Sequence, residues 1–125
     1  MDDKSKKKEE FKLRIYKYIL RLIKFLNKIP QTPVTREIIS QLMDSGTSMG
    51  ANYFESEGAS SKKDYLNFFN ICLKSANESK FWLALLMDSK LVPKYLEEEC
   101  KWLLGETKEL ANIFASSILT MRNKK

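Results

Sequence analysis

The chain has 125 residues, 43% hydrophobic and 30% charged, which fits one globular domain with a single core. Only four Gly and three Pro punctuate it, too few for a many-turned β fold and suited to long helices. The net charge is +6; no apolar run reaches the ~18 residues of a membrane span, and the polar start lacks the apolar stretch of a signal peptide, so a cytoplasmic protein is expected.

The spacing predicts four helices, an all-α fold arranged as an up-down-up-down antiparallel bundle. Residues 1–125 make one domain, with 1–7 as a disordered basic leader and 122–125 as a frayed tail. The first helix runs from about Lys8 to Lys28 and stops at Ile29-Pro30, because the residue before proline avoids helical torsions. Arg14, Lys17, Arg21, Lys24 and Lys28 recur at three and four residues and fall in a stripe about 80° wide. Phe11, Ile15, Tyr18, Leu22, Phe25 and Ile29 share that rhythm. Leu13, Tyr16, Ile19, Leu20, Ile23 and Leu26 widen the apolar face to about 240°, well beyond the ~100° that an outer bundle helix needs. The surplus predicts burial on two sides, one against the chain's own core and one against a neighbouring subunit.

The second helix begins at Pro33, with Thr32 as N-cap and proline at the first helical position, and continues to about Glu57 before Gly58. Its interior holds Gly46 and Gly50, one turn apart, each costing about 1 kcal/mol relative to Ala. In a hairpin closing near Gly58 they are expected to oppose Phe68, Phe69 and Cys72, whose bulk they would admit against the helix backbone. Asn52 and Glu55 close the helix, with Glu55 placed to clasp the exposed N–H groups that open the third.

The third helix starts with Ser61-Lys-Lys-Asp64, a capping-box-like spacing, and runs to about Ser89. Tyr65, Phe69, Cys72, Ala76, Leu83 and Leu86 form its seam. The fourth opens at Pro93 and runs to about Met121, with Leu96, Cys100, Leu103, Leu110 and Phe114 at heptad-like spacing. Aromatic stripes of this kind read as core.

The missing chemistry narrows the function. The chain has no histidine, which removes the commonest general base and the imidazole metal ligand. Cys72 and Cys100 form no metal-ligand pattern and are expected to be thiols in a reducing compartment. No Gly-rich phosphate loop is present. Glu97, Glu98, Glu99, Glu106 and Glu109 have no Glu-x-x-His partner for a di-iron site. No enzyme, metal, cofactor or small-molecule substrate is expected.

Residues 1–28 hold ten Lys/Arg against four Asp/Glu, and residues 29–125 hold twelve of each. All of the positive surplus therefore lies in the first helix and its leader, as a solvated face or as a surface for nucleic acid or an acidic partner.

Ser45-Gly-Thr-Ser-Met-Gly-Ala-Asn52, Glu55, Gly58-Ala59, Ser61-Lys62, Asp64-Tyr65, Lys74, Ala76, Glu78-Ser79 and Phe81-Trp82-Leu83 together resemble the signature of the small bacterial four helix bundle protein family, the ribosomal-RNA intervening-sequence proteins. The likeness is dense over the second and third helices and holds elsewhere in length and layout. Tyr53-Phe54 and Ser56 depart from the usual pattern. The resemblance implies a bundle that assembles into a ring, often a homopentamer. It also implies kinship with the accessory variability protein of diversity-generating retroelements, which binds nucleic acid and a reverse transcriptase. Two functions are then open. One is an accessory protein gripping the RNA or DNA backbone through Arg14, Lys17, Arg21, Lys24 and Lys28. The other is a protein–protein scaffold or adaptor, docking a partner such as a reverse transcriptase, without direct nucleic-acid binding. Gly46, Gly50, Asn52, Glu55 and Gly58 are read as structural.

Overall fold

The computed structural model describes residues 2–124. Four helices occur in chain order: α1 (Asp3–Leu26), α2 (Pro33–Ser56), α3 (Lys62–Asp88) and α4 (Glu97–Asn123), with a 3-10 turn at Lys94–Leu96 before α4. They pack as an all-α four-helix bundle, and the tightest backbone approaches are α2 on α3 and α3 on α4.

The helix ends follow local chemistry. Asp2 caps α1 by accepting from the Ser5 N–H at 2.7 Å, so helix replaces the expected leader from Asp3 onward. Charge repulsion among Lys4, Lys6, Lys7 and Lys8 does not prevent this, because the lysines fan into solvent while Asp2 and Asp3 answer the helix N-terminus. Met1 and Lys125, the outermost residues of the predicted leader and tail, lie outside the described residues; α4 carries helix through Asn123. At its other end α1 stops at Leu26, two residues before the predicted Lys28, and Asn27–Ile29 tighten into a turn with Ile29 buried.

Thr32 caps α2 as expected, with a reciprocal bond: the Thr35 N–H donates to Thr32 Oγ1 and the Thr32 N–H to Thr35 Oγ1. Ser61 caps α3, accepting from the Asp64 N–H at 3.0 Å. The end of α3 is a Schellman motif, in which Lys90 N–H reaches Met87 O and Leu91 N–H reaches Leu86 O, both at 3.1 Å. Lys90 takes the left-handed conformation there, with φ 60°, where glycine is usual. The α-helical part of the fourth helix begins at Glu97, later than the predicted Pro93. Its first turn carries Glu97, Glu98 and Glu99, whose charge suits the positive end of the helix dipole.

The core runs the length of the bundle. Ile15, Leu22, Leu42, Met49, Cys72, Ala76, Leu83, Leu86, Cys100, Leu103, Leu110 and Phe114 are all fully buried. Phe11, Tyr53, Phe69 and Phe114 form an edge-on and tilted aromatic cluster at one end, with centroids 5.1–6.2 Å apart, a favoured geometry for such rings. Among the described residues no fully buried side-chain N or O lacks a hydrogen-bond partner.

The glycines correct one expectation. Gly46 and Gly50 face α1, not Phe68, Phe69 and Cys72 of α3. A Cβ at Gly46 would lie 2.5 Å from Leu22 Cδ2, and one at Gly50 would collide with Ile19. The α3 side of α2 is instead a seam of small polar residues. Ser45 Oγ and Ser79 Oγ bond at 2.8 Å, Ser75 Oγ donates to Ser48 Oγ at 3.0 Å, and Asn52 Nδ2 donates to Ser48 O at 2.8 Å. The reason is rotational: at 100° per residue, glycines at 46 and 50 lie on a different face from serines at 45 and 48. The Ser45–Asn52 signature thus serves two interfaces, one per face of α2.

Candidate nucleic-acid interface

The predicted basic stripe lies along α1, on the side next to α4, and the structure divides it in two. Arg14 and Arg21 are held by α4. The Arg14 guanidinium donates from Nε and Nη2 to both oxygens of Glu106, at 2.7 and 2.8 Å, and from Nη2 to Glu109 at 2.7 Å. Arg21 grips Glu99 in the same bidentate way at 2.6 and 2.8 Å and lies 3.5 Å above the Trp102 ring, a cation–π stack. The Arg21 hydrogen bonds, with help from Lys28 and Lys24, hold the Glu99 carboxyl below its ordinary range. Of the five glutamates that the sequence leaves without a metal role, Glu99, Glu106 and Glu109 are thus arginine acceptors. Spacing along one helix shows that the cations share a stripe; it does not show that glutamates of another helix face it.

Lys17, Lys24 and Lys28 remain exposed and make no ion pair among the described residues. Lys4, Lys6, Lys7 and Lys8 of the first turns are likewise exposed, and helix formation fixes their spacing. Lys12 pairs with Glu57 at 2.8 Å and lies over Phe54.

Of the residues read as structural, Gly46 and Gly50 lie against α1, and Asn52 bonds Ser48 one turn earlier on the same helix. Glu55 is exposed, and its side chain bonds no group among the described residues. The start of α3 is satisfied by Ser61 and by Asp64, which accepts from Ser60 N–H at 3.0 Å. The expected Glu55 clasp is absent, and the Asp64 N–H it could have met is already capped by Ser61. Gly58 turns the chain between α2 and α3, its N–H bonding Glu55 O at 3.0 Å.

The apolar surplus of α1 also has a visible place. Leu13, Tyr16 and Leu20 are each 51% exposed, beside Phe54 of α2 at 41%. Phe81 at 58% marks a second apolar patch on α3.

Cys72 and Cys100 are buried free thiols. Burial pushes their pKa values up to about 12 and about 11, so neither is a ready nucleophile at neutral pH. Tyr18 is fully buried and its hydroxyl shares a short hydrogen bond with Thr107, while burial raises its pKa to about 12. Among the described residues no cluster of three or more His, Cys, Asp or Glu could hold a metal, and no helix is long and apolar enough to cross a membrane.

The family model for the 23S rRNA-intervening sequence protein matches residues 6–116. The chain belongs to that family. Among solved structures it is similar to a protein of unknown function from the S23 ribosomal protein family of Bacteroides thetaiotaomicron VPI-5482. That likeness has a TM-score of 0.75 at 28% identity, over 90% of this chain and 97% of the other. No curated protein matches the chain. Family membership accounts for the signature on α2 and α3, whose small residues the geometry assigns to helix packing and whose Glu55, Lys74, Glu78 and Phe81 it leaves exposed.

Proposed function

We propose that this family member is a non-enzymatic, oligomeric accessory protein of the cytoplasm that grips the nucleic-acid backbone through lysines of α1. The observation that carries this reading is the division of the stripe. Arg14 and Arg21 are held by α4, but Lys17 and Lys24, with Lys4, Lys6, Lys7 and Lys8, stay exposed on α1, and Lys28 on the turn after it, while the rest of the chain is neutral. Ammonium groups without carboxylate partners are free to replace counterions on phosphate, which gives affinity without base selection. Self-association through Leu13, Tyr16, Leu20 and Phe54 would repeat these lysines around a ring and raise avidity.

The test is binding of RNA and of duplex DNA against salt. Affinity is expected to fall steeply, with a log–log slope of about −0.9 per phosphate neutralised on duplex DNA. Lys17→Gln, Lys24→Gln and Lys28→Gln together should flatten that slope, with unchanged helical content and assembly mass. No binding at about 50 mM salt, where counterion release is strongly favourable, rejects the reading. The exposed Phe81 patch then favours the second reading, a scaffold that docks a protein partner such as a reverse transcriptase.

A further inference from the structure

At the aromatic end of the bundle, residues of all four helices line a cleft of about 460 Å³, inside the ~300–1,000 Å³ range of small-ligand sites. Its floor is Phe11, Tyr53, Tyr65 and Phe69. Lys4, Lys7 and Lys8 of α1 stand on one rim and Lys124 on the other. A second hollow of about 370 Å³ shares Lys8, Tyr53 and Tyr65.

Two features set this cleft apart from a packing defect. The Tyr53 side chain is 95% buried, with 5% relative exposure, yet its hydroxyl bonds no protein group among the described residues, and neither does that of Tyr65. Since no fully buried polar side-chain atom among the described residues goes unpaired, the Tyr53 hydroxyl must open onto the cleft or onto the adjoining second hollow, both of which it lines. The cleft therefore offers unspent hydrogen-bonding groups above an aromatic floor. In addition, none of its lining residues is acidic: Glu9 and Glu10, between Lys8 and Phe11 in the chain, line a different hollow beside Leu13 and Phe54, and Glu57 lines the adjoining second hollow. An apolar, π-rich base with ammonium groups on both sides complements a planar ring flanked by phosphates.

We infer that this cleft receives one unpaired nucleotide of a single strand, its base packed on the half-buried Tyr65 ring beside the Tyr53 hydroxyl and its neighbouring phosphates on the lysine rims. The inference rests on the nucleic-acid reading above and adds to it a preference for unpaired over duplex sites. Beside the α1 stripe, Arg21 already covers a face of the Trp102 ring; the cleft supplies an aromatic ring without a cation stacked on it. Rims on both sides favour a strand that passes through over a free mononucleotide, because only a strand brings a phosphate to each side. Stacking of a base on an aromatic side chain is tolerant of sequence, so the preference concerns pairing state.

The experiment uses the full chain and single-stranded RNA carrying 2-aminopurine at one position. It is compared with the same strand bearing an abasic site there, with its duplex, and with free adenosine monophosphate. Binding should quench the 2-aminopurine, and the intact strand should bind about tenfold more tightly than the abasic one, as expected for one stacked base. Tyr65→Ala should erase that tenfold and leave duplex affinity unchanged. Lys7→Gln with Lys8→Gln, both exposed and outside the core, should weaken the single strand more than the duplex. Equal affinity for intact and abasic strands overturns the cleft but not the backbone reading. Absence of all nucleic-acid binding overturns both. Mononucleotide binding as tight as the strand's, or displacement of the strand by an acidic aromatic peptide at lower concentration, reassigns the cleft and overturns the inference.

Discussion

Gly50 and Gly105 are both helical glycines, and their surroundings give them opposite meanings. At Gly50 an added side chain runs into Ile19 and Ile15 of α1, whereas a Cβ at Gly105 meets nothing within 4 Å. Gly105→Ala should therefore stabilise α4 by the propensity difference, about 1 kcal/mol, and raise the midpoint of urea unfolding. Gly50→Leu gains the same propensity but overpacks the α1–α2 contact, with a net cost of about 1–3 kcal/mol. A gain in stability from Gly50→Leu would place that glycine on the surface. From sequence alone Gly50 is expected in a close helix contact, and it lies in one, but against α1 and not α3. Spacing shows that two glycines share a face; which helix lies against that face depends on how the bundle is wound.

Between elements, α1 and α4 are fastened by opposite charges. The contribution of the Arg21–Glu99 pair depends on pH, with a definite sign. Glu99 has a lowered pKa in the folded protein, so its contribution is present above the unfolded-state value of about 4.3. It is lost as pH falls through the lower folded-state value. Arg21→Gln should return the Glu99 carboxyl toward its ordinary range, visible by NMR titration of the carboxyl carbon. It should also remove part of the stability above pH ~5 while leaving pH ~2 nearly unchanged. The size should be modest, within about 1 kcal/mol, since both side chains are partly exposed. An equal loss at both pH values would mean that Arg21 acts through its stack on Trp102. The helices and most caps were legible in the chain because Thr32-Pro33 and Ser61 act locally. The neutralisation of Arg14 and Arg21 was not, because Glu99 and Glu106 lie 78 and 92 residues further along.

For the whole molecule, the outer side of α1 is an exposed apolar surface. The 240° apolar face counted from sequence divides into buried Ile15, Tyr18, Leu22 and Phe25 and exposed Leu13, Tyr16 and Leu20. Light scattering at micromolar concentration should show a multimer, with five subunits expected from the family resemblance. Leu13→Glu with Leu20→Glu should dissociate it while circular dichroism still reports folded helix. A monomeric wild-type chain would remove the case for a ring.

The two faces of α2 also imply two different kinds of evolutionary tolerance. Against α3, Ser45, Ser48, Ser75, Ala76 and Ser79 bring backbones close and leave no slack, so a lineage can drift there only among small residues. Against α1, the space left by Gly46 and Gly50 is filled by Leu22, Ile15 and Ile19, whose branches can be exchanged for others of similar volume. Relatives should thus keep the α2–α3 hairpin nearly fixed while α1 varies its aliphatic residues. The helix free to change is also the one that carries the lysines and the exposed leucines, so new partners could be acquired without disturbing the hairpin.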